Sequence, residues 1–132
     1  MILHKPFIIS SRLMPALVIG GATLSLSLPD RHTRGGRDIY EAWIDLPDGS
    51  EHEITDLHSG RQGGSVLEGF SSLLSFLAAA GESRNYRERT GRTGEHEDLF
   101  PEPVTAWAAD HEDDLSSMSY EIEESDTSLI EE

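Results

Sequence analysis

The 132 residues are sized for one domain with a single modest core, and the absence of cysteine excludes disulfides, thiolate zinc centres and cysteine nucleophiles together. The formal charge of -15 is unevenly placed: residues 1–94 carry all ten Lys and Arg against eleven Asp and Glu, whereas residues 95–132 carry fourteen acids and no base. Such a block repels nucleic acid and anionic lipid and attracts cationic surfaces with steering that fades as salt rises, so direct nucleic-acid binding and membrane binding are not expected.

Residues 1–28 are apolar, but Arg12, Pro15 and Gly20-Gly21 interrupt them. No small-residue cleavage site follows a clean apolar run, which argues against a secretory leader and a membrane span. Met14 offers an alternative start, leaving 1–13 or 1–14 as a disordered or misassigned extension. Leu24, Leu26 and Leu28 alternate with polar residues, the period of a strand with one wet face, reaching back toward Ala16. Tyr40, Ala42, Ile44 and Leu46 alternate in the same way, and the turn residues Pro47-Asp48-Gly49-Ser50 return the chain as a third, antiparallel strand over Glu51 to Leu57.

Residues 58–64 read as a glycine-rich loop. Ser65 followed by Glu68 forms a capping box, and Val66, Phe70, Leu73, Leu74 and Leu77 make one apolar stripe that Gly81 ends. Residues 82–94 read as a polar exit carrying Arg84, Arg87, Arg89 and Arg92, part of which is expected to pair with the acidic end. From Pro103, Val104, Trp107, Ala108, His111, Leu115, Met118 and Ile122 form a second amphipathic stripe, with Asp113 and Asp114 offering a restart and hence a kink. The expectation is an α+β fold: a small three-stranded antiparallel sheet packed by two amphipathic helices on one face, a single domain over 15–124, and a flexible acidic tail over 125–132.

Catalytic and ligand signatures are sparse. Gly60 to Ser65 precedes a helix as an anion site would, but it lacks the P-loop lysine and spacing. The clusters Glu51-His52-Glu53, Glu95-His96-Glu97 and His111 to Asp114 lack helical zinc spacing, and no serine sits in a Gly-x-Ser-x-Gly elbow. No catalytic residue, metal ligand or cofactor is therefore assigned. Seven acids between Asp110 and Glu124 would lie on roughly 22 Å of helix at ~1.5 Å per residue. That is one charge per ~3.2 Å, close to the ~3.4 Å spacing of phosphates along a DNA strand.

The stretches Asp56-Leu57-His58-Ser59-Gly60, Gly63-Gly64-Ser65, Glu68-Gly69-Phe70, Leu73 to Leu77 and Leu99-Phe100-Pro101 with Val104, Trp107 and Ala108 resemble a group of uncharacterised small acidic proteins of bacterial plasmids, integrative elements and phages. The resemblance spans about residues 24–124 and implies a mobile-element setting, where small acidic proteins include anti-CRISPR and antirestriction inhibitors that imitate nucleic acid. The nearly neutral N-terminal part, with nine arginines, departs from whole-surface mimicry.

The reading is a non-enzymatic inhibitor acting in the host cytoplasm, a partial DNA mimic that docks on a basic nucleic-acid-binding surface of a CRISPR effector or restriction nuclease. Asp110, Glu112, Asp113, Asp114, Tyr120, Glu121, Glu123 and Glu124 would form the contact, with Trp107 as a further anchor where exposed. The alternatives are a self-associating accessory protein, in which the Arg84–Arg92 segment of one copy meets the acidic helix of another in a homodimer, and a metal-dependent hydrolase.

Overall fold

A computed structural model of the protein describes residues 7–27, 31–32, 37–62, 66–92 and 100–131. The chain is α+β and divides into two compact units, Met1–Ser72 and Leu73–Glu132, with the division falling inside the first helix.

The first unit is an antiparallel sheet of six strands, β1 (Ile8–Ile9), β2 (Pro15–Ile19), β3 (Ala22–Leu26), β4 (Arg31–His32), β5 (Arg37–Asp45) and β6 (Glu51–Gln62). Both β3 and β4 pair with the same edge of β5, over Ala42–Asp45 and Asp38–Ile39, and β6 takes the other edge. The result is a five-ribbon meander in which one ribbon is interrupted, rather than the three strands the alternation implies.

Three of the hairpins are explained by their turns. Gly20 and Gly21 have φ of 57° and 77° and join β2 to β3 in two residues. Two consecutive left-handed residues twist with the strands they connect, and only glycine takes them without penalty. What reads as an interruption of one strand is therefore a hairpin. The β5–β6 loop closes with Gly49 N donating to Leu46 O and Leu46 N to Ser50 O, and Gly49 has a φ of 91°. The β1–β2 loop repeats that pattern, with Leu13 N donating to Ser10 O and Ser10 N to Met14 O. There the left-handed position is held by Leu13, at a φ of 60°, where a side chain costs about 1 kcal/mol.

Register assigns the faces. Leu17, Leu24, Ile44, Leu26 and Ala42 lie opposite one another across β2, β3 and β5, and all are fully buried with Tyr40. A bulge in β6 between Ile54 and Leu57 moves the pleat by one residue, so Leu57 shares the face of its partner Tyr40 and is buried with it. β6 continues to Gln62, replacing the loop expected over 58–62.

Helix α1 (Val66–Thr90) starts directly after Ser65, as the capping box requires, although Ser65 and the Glu68 side chain lie outside the described residues. Its first turns belong to the sheet unit. A methyl group on Gly69 would meet Leu26 Cδ2 at 2.5 Å and Tyr40 Cε1 at 2.9 Å, so glycine lets the helix backbone rest on the buried sheet face. Phe70 is fully buried, and its ring lies 5.0 Å from that of Phe7. Structure therefore reaches into the expected N-terminal extension, through Phe7, β1 and the Ser10–Met14 turn.

The second unit holds the rest of α1 with α2 (Glu102–Asp110) and α3 (Glu112–Glu131). α1 does not stop at Gly81 but at Gly91, whose φ of 74° and amide bond to Arg87 O form the C-terminal cap. The expected polar exit thus continues the helix from Glu82 to Thr90, with Arg84 paired to Glu88 one turn on. Gly81 serves a different purpose: a methyl group there would lie 2.6 Å from Ala108 O, so its absence lets the α1 and α2 backbones touch. Leu73, Leu74, Leu77, Ala80, Val104, Ala108, Leu115 and Ile122 are buried in this unit. Three helices replace the expected two because the second stripe breaks at His111, and α3 continues through the expected tail to Glu131. Among the described residues no helix is long and apolar enough to cross a membrane.

Candidate functional site

The acidic stretch is built on the α2–α3 junction. The last carbonyls of α2 lack helical partners, as at any helix C-terminus, and three groups satisfy them. The His111 amide donates to Ala108 O, His111 Nδ1 lies 2.9 Å from Trp107 O, and Asn85 Nδ2 donates to Ala109 O at 3.1 Å. Asn85 Nδ2 also donates to Glu112 Oε2 at 2.9 Å, tying the start of α3 to α1. Because Nδ1 donates to a carbonyl, His111 is a junction residue with its ring 5.4 Å from that of Trp107.

Seven residues make nearly two helical turns, so residues seven apart stack on one side of α3. Leu115 and Ile122 stack on the buried side, while Asp113 with Tyr120 and Asp114 with Glu121 stack on the exposed side. Tyr120 is 62% exposed. Among the described residues no ion pair engages Asp110, Asp113, Asp114 or Glu121: Arg12 binds Asp45 and Glu51, and Arg84 binds Glu88 and Glu102. The pairing expected between the arginine segment and the acidic end is realised at Glu102, in the first turn of α2, while Asp113, Asp114 and Glu121 of α3 are exposed.

Several expected contact residues are placed differently. Asp110 ends α2 and does not continue the α3 row. The break at His111 divides what the spacing treats as one charged rod. Glu112 is half-buried and engaged by Asn85. Trp107 is 7% exposed and belongs to the core, so it is no surface anchor. Glu123 and Glu124 lie on α3, but their side chains fall outside the described residues. Asn85 carries no signal in the sequence, since its partners lie 24 and 27 residues away.

One serine, histidine and aspartate do come together. Ser50 Oγ donates to Asp48 Oδ1 at 2.6 Å, the Ser50 amide donates to the same oxygen at 2.8 Å, and His52 Nε2 lies 3.0 Å from Ser50 Oγ. With the hydroxyl proton directed at Asp48, the imidazole can only donate to Ser50 Oγ. It cannot act as the base that would make this serine a nucleophile. The Ser50 hydroxyl and then its amide hold the Asp48 carboxyl below its ordinary 3.8. A lowered folded-state pKa contributes stability above the unfolded value and loses it as the pH falls through the folded value. Melting temperature followed from about pH 5 to about pH 2 should therefore fall less steeply for Asp48→Asn than for the native protein. Equal slopes would show that the turn contributes nothing to acid sensitivity.

Among the described residues no three His, Asp or Glu side chains gather to hold a metal ion. Comparison of the chain with protein-family models, with curated proteins and with solved structures returns no match.

Proposed function

We propose that the protein is a non-enzymatic acidic binding protein of a mobile genetic element, which docks the outer side of α3 on a cationic nucleic-acid-binding surface of a host defence complex of the CRISPR or restriction type. What supports this reading is the face formed by Asp113, Asp114 and Glu121, exposed and outside any ion pair among the described residues, with the exposed Tyr120 beside them and the buried Leu115 and Ile122 on the other side of the helix. Partial mimicry fits better than a continuous phosphate-like row, because the helix break removes Asp110 from that row.

A structural role competes for the first of these acids. Glu112, Asp113 and Asp114 occupy the first turn of α3, where carboxylates complement the helix dipole. The two roles separate by measurement, since a dipole role appears in the melting temperature and a docking role in inhibition. In cells carrying a panel of CRISPR and restriction systems, the native protein should raise phage plating against at least one of them. Asp113→Asn with Asp114→Asn and Glu121→Gln should reduce that protection by about ten-fold or more, from three exposed charges each contributing some tenths of a kcal/mol. Protection by no system in the panel, or undiminished protection by a folded triple variant, would remove the proposal.

Exposed Arg89 and Arg92 at the end of α1 support self-association as the second reading. It is distinguished by a dimer in light scattering that dissociates as salt is raised.

A further inference from the structure

The sheet face turned away from Leu24 and Tyr40 carries a built guanidinium site. Strand register puts Ile8, Ala16, Val18, Thr23, Ser25, Trp43, Asp45, Glu51 and Glu53 on this face. Across it reaches Arg12, from the β1–β2 loop. Its Nη1 lies 2.6 Å from Asp45 Oδ2, its Nη2 lies 2.8 Å from Glu51 Oε1, and its guanidinium carbon lies 6.0 Å from the Trp43 ring centroid. Two carboxylates presented to a planar fork, with an aromatic ring alongside, are the recognition chemistry of arginine and not of lysine.

The site has more acceptors than Arg12 satisfies. Ser25 is fully buried, and its Oγ has no hydrogen-bond partner; Asp45 Oδ1 is likewise buried and unpartnered. Buried polar atoms without partners are rare in native proteins and costly where they occur. Here both sit on one face, Ser25 opposite Trp43 and Thr23 opposite Asp45 in register. Ile8 and Val18, each about half exposed, flank the site on the same face. The loop supplying Arg12 also carries Leu13, the one described non-glycine residue with positive φ.

We infer that Asp45, Glu51, Trp43 and Ser25 form a binding site for an arginine side chain of a cationic protein partner, and that Arg12 occupies this site in the free protein as an internal stand-in. The partner arginine displaces Arg12, forms the fork to Asp45 and Glu51, and brings donors to the unpartnered Ser25 and Asp45 oxygens. The neighbouring Ile8 and Val18 give the incoming surface an apolar seat. This site lies on the sheet unit and does not depend on the docking of α3.

The test uses the full chain and two probes, a capped tetra-arginine peptide and its tetra-lysine counterpart, with the Trp43 indole N–H followed by NMR. Arg12→Ala should bind tetra-arginine about ten-fold more tightly than the native protein, the scale of one charge-assisted hydrogen bond no longer contested. Adding Asp45→Asn should abolish the gain, and tetra-lysine should show none of it. An equal gain for tetra-lysine would mean that Arg12→Ala only makes the surface more acidic, and would overturn the site. So would a gain that survives Asp45→Asn, or no gain at all. If Arg12→Ala fails to fold, Arg12→Lys retains the charge but loses the fork; it should still bind tetra-arginine more tightly than the native protein, and failure to do so would overturn the site equally.

Discussion

Replacing Gly81 by alanine is expected to destabilise the protein by roughly 2 kcal/mol and to lower its melting temperature by about 5–10 °C, against the direction that helix propensity dictates. In the interior of a helix, alanine is about 1 kcal/mol better than glycine, so a Gly81→Ala change on an open surface would stabilise. Gly81 is not open. Its added carbon would lie 2.6 Å from Ala108 O, 2.7 Å from Ala108 C and 2.9 Å from Ala109 N. All three obstacles are backbone, and no rotamer change relieves them. α2 must move away from α1, and with it Ala109 O, the acceptor of Asn85.

Gly69→Ala provides the comparison. There the obstacles are the end of the Leu26 side chain and the Tyr40 ring, which can rotate or shift, so the loss should be smaller. The two tryptophans separate the units, Trp107 lying in the helical unit and Trp43 in the sheet. In Gly81→Ala the Trp107 indole resonance should shift and melt earlier while that of Trp43 moves little. A variant as stable as the native protein would show that α1 and α2 do not meet at Gly81.

The same glycine shows what a sequence discloses and what it withholds. Gly81 ends an unbroken apolar stripe, and a glycine there is the commonest terminator. The helix continues because the next buried positions are occupied by Ser83 and half-buried Arg84, Asn85 and Arg87, residues whose polarity hides their packing. Alternation over Tyr40 to Leu46, the Pro47–Ser50 turn and the helix start at Val66 were legible, because each depends on residues a few positions apart, whereas the break at His111 was signalled only as an alternative restart at Asp113 and Asp114.

β2 was not legible as a separate strand, since Ala16, Leu17 and Ile19 are all buried and give no alternation. β1 has only two residues, too few for any period. The later part of β6 was hidden by its bulges and by Gly60. On the acidic helix, Asp113, Asp114, Tyr120 and Glu121 are exposed, but charge alone cannot show that Glu112 answers to Asn85 or that Trp107 points inward. The Arg12 site joins residues 33 and 39 positions apart, a separation at which no spacing rule operates.

Phe70→Ala should have the largest effect of any single substitution in the sheet unit, with a loss of about 3–5 kcal/mol. Phe70 is fully buried at the point where α1 meets the sheet unit, and its removal leaves a cavity that the flanking backbone cannot fill. The glycine preceding it already holds the helix against Leu26 and Tyr40, so little further collapse is open to that turn. Against a whole-protein stability of about 5–15 kcal/mol, such a loss removes most of the total at the lower end of that range and about a quarter of it at the upper end.

Part of this loss belongs to the ring contact with Phe7, at 5.0 Å and a tilt of 52°. A double-mutant cycle should assign about 0.5–1.5 kcal/mol to it, so Phe7→Ala should cost noticeably less in the Phe70→Ala background than in the native one. That coupling also bears on whether the first residues belong to the fold. Phe7 lies in the stretch that the sequence marks as an extension, and a chain beginning at Met14 would lose Phe7, β1 and Arg12 together. Strictly additive losses in urea unfolding would show that the Phe7 and Phe70 rings do not support each other. A measured coupling would make the N-terminal strand a working part of the sheet unit, holding both the first turn of α1 and the loop from which Arg12 reaches Asp45.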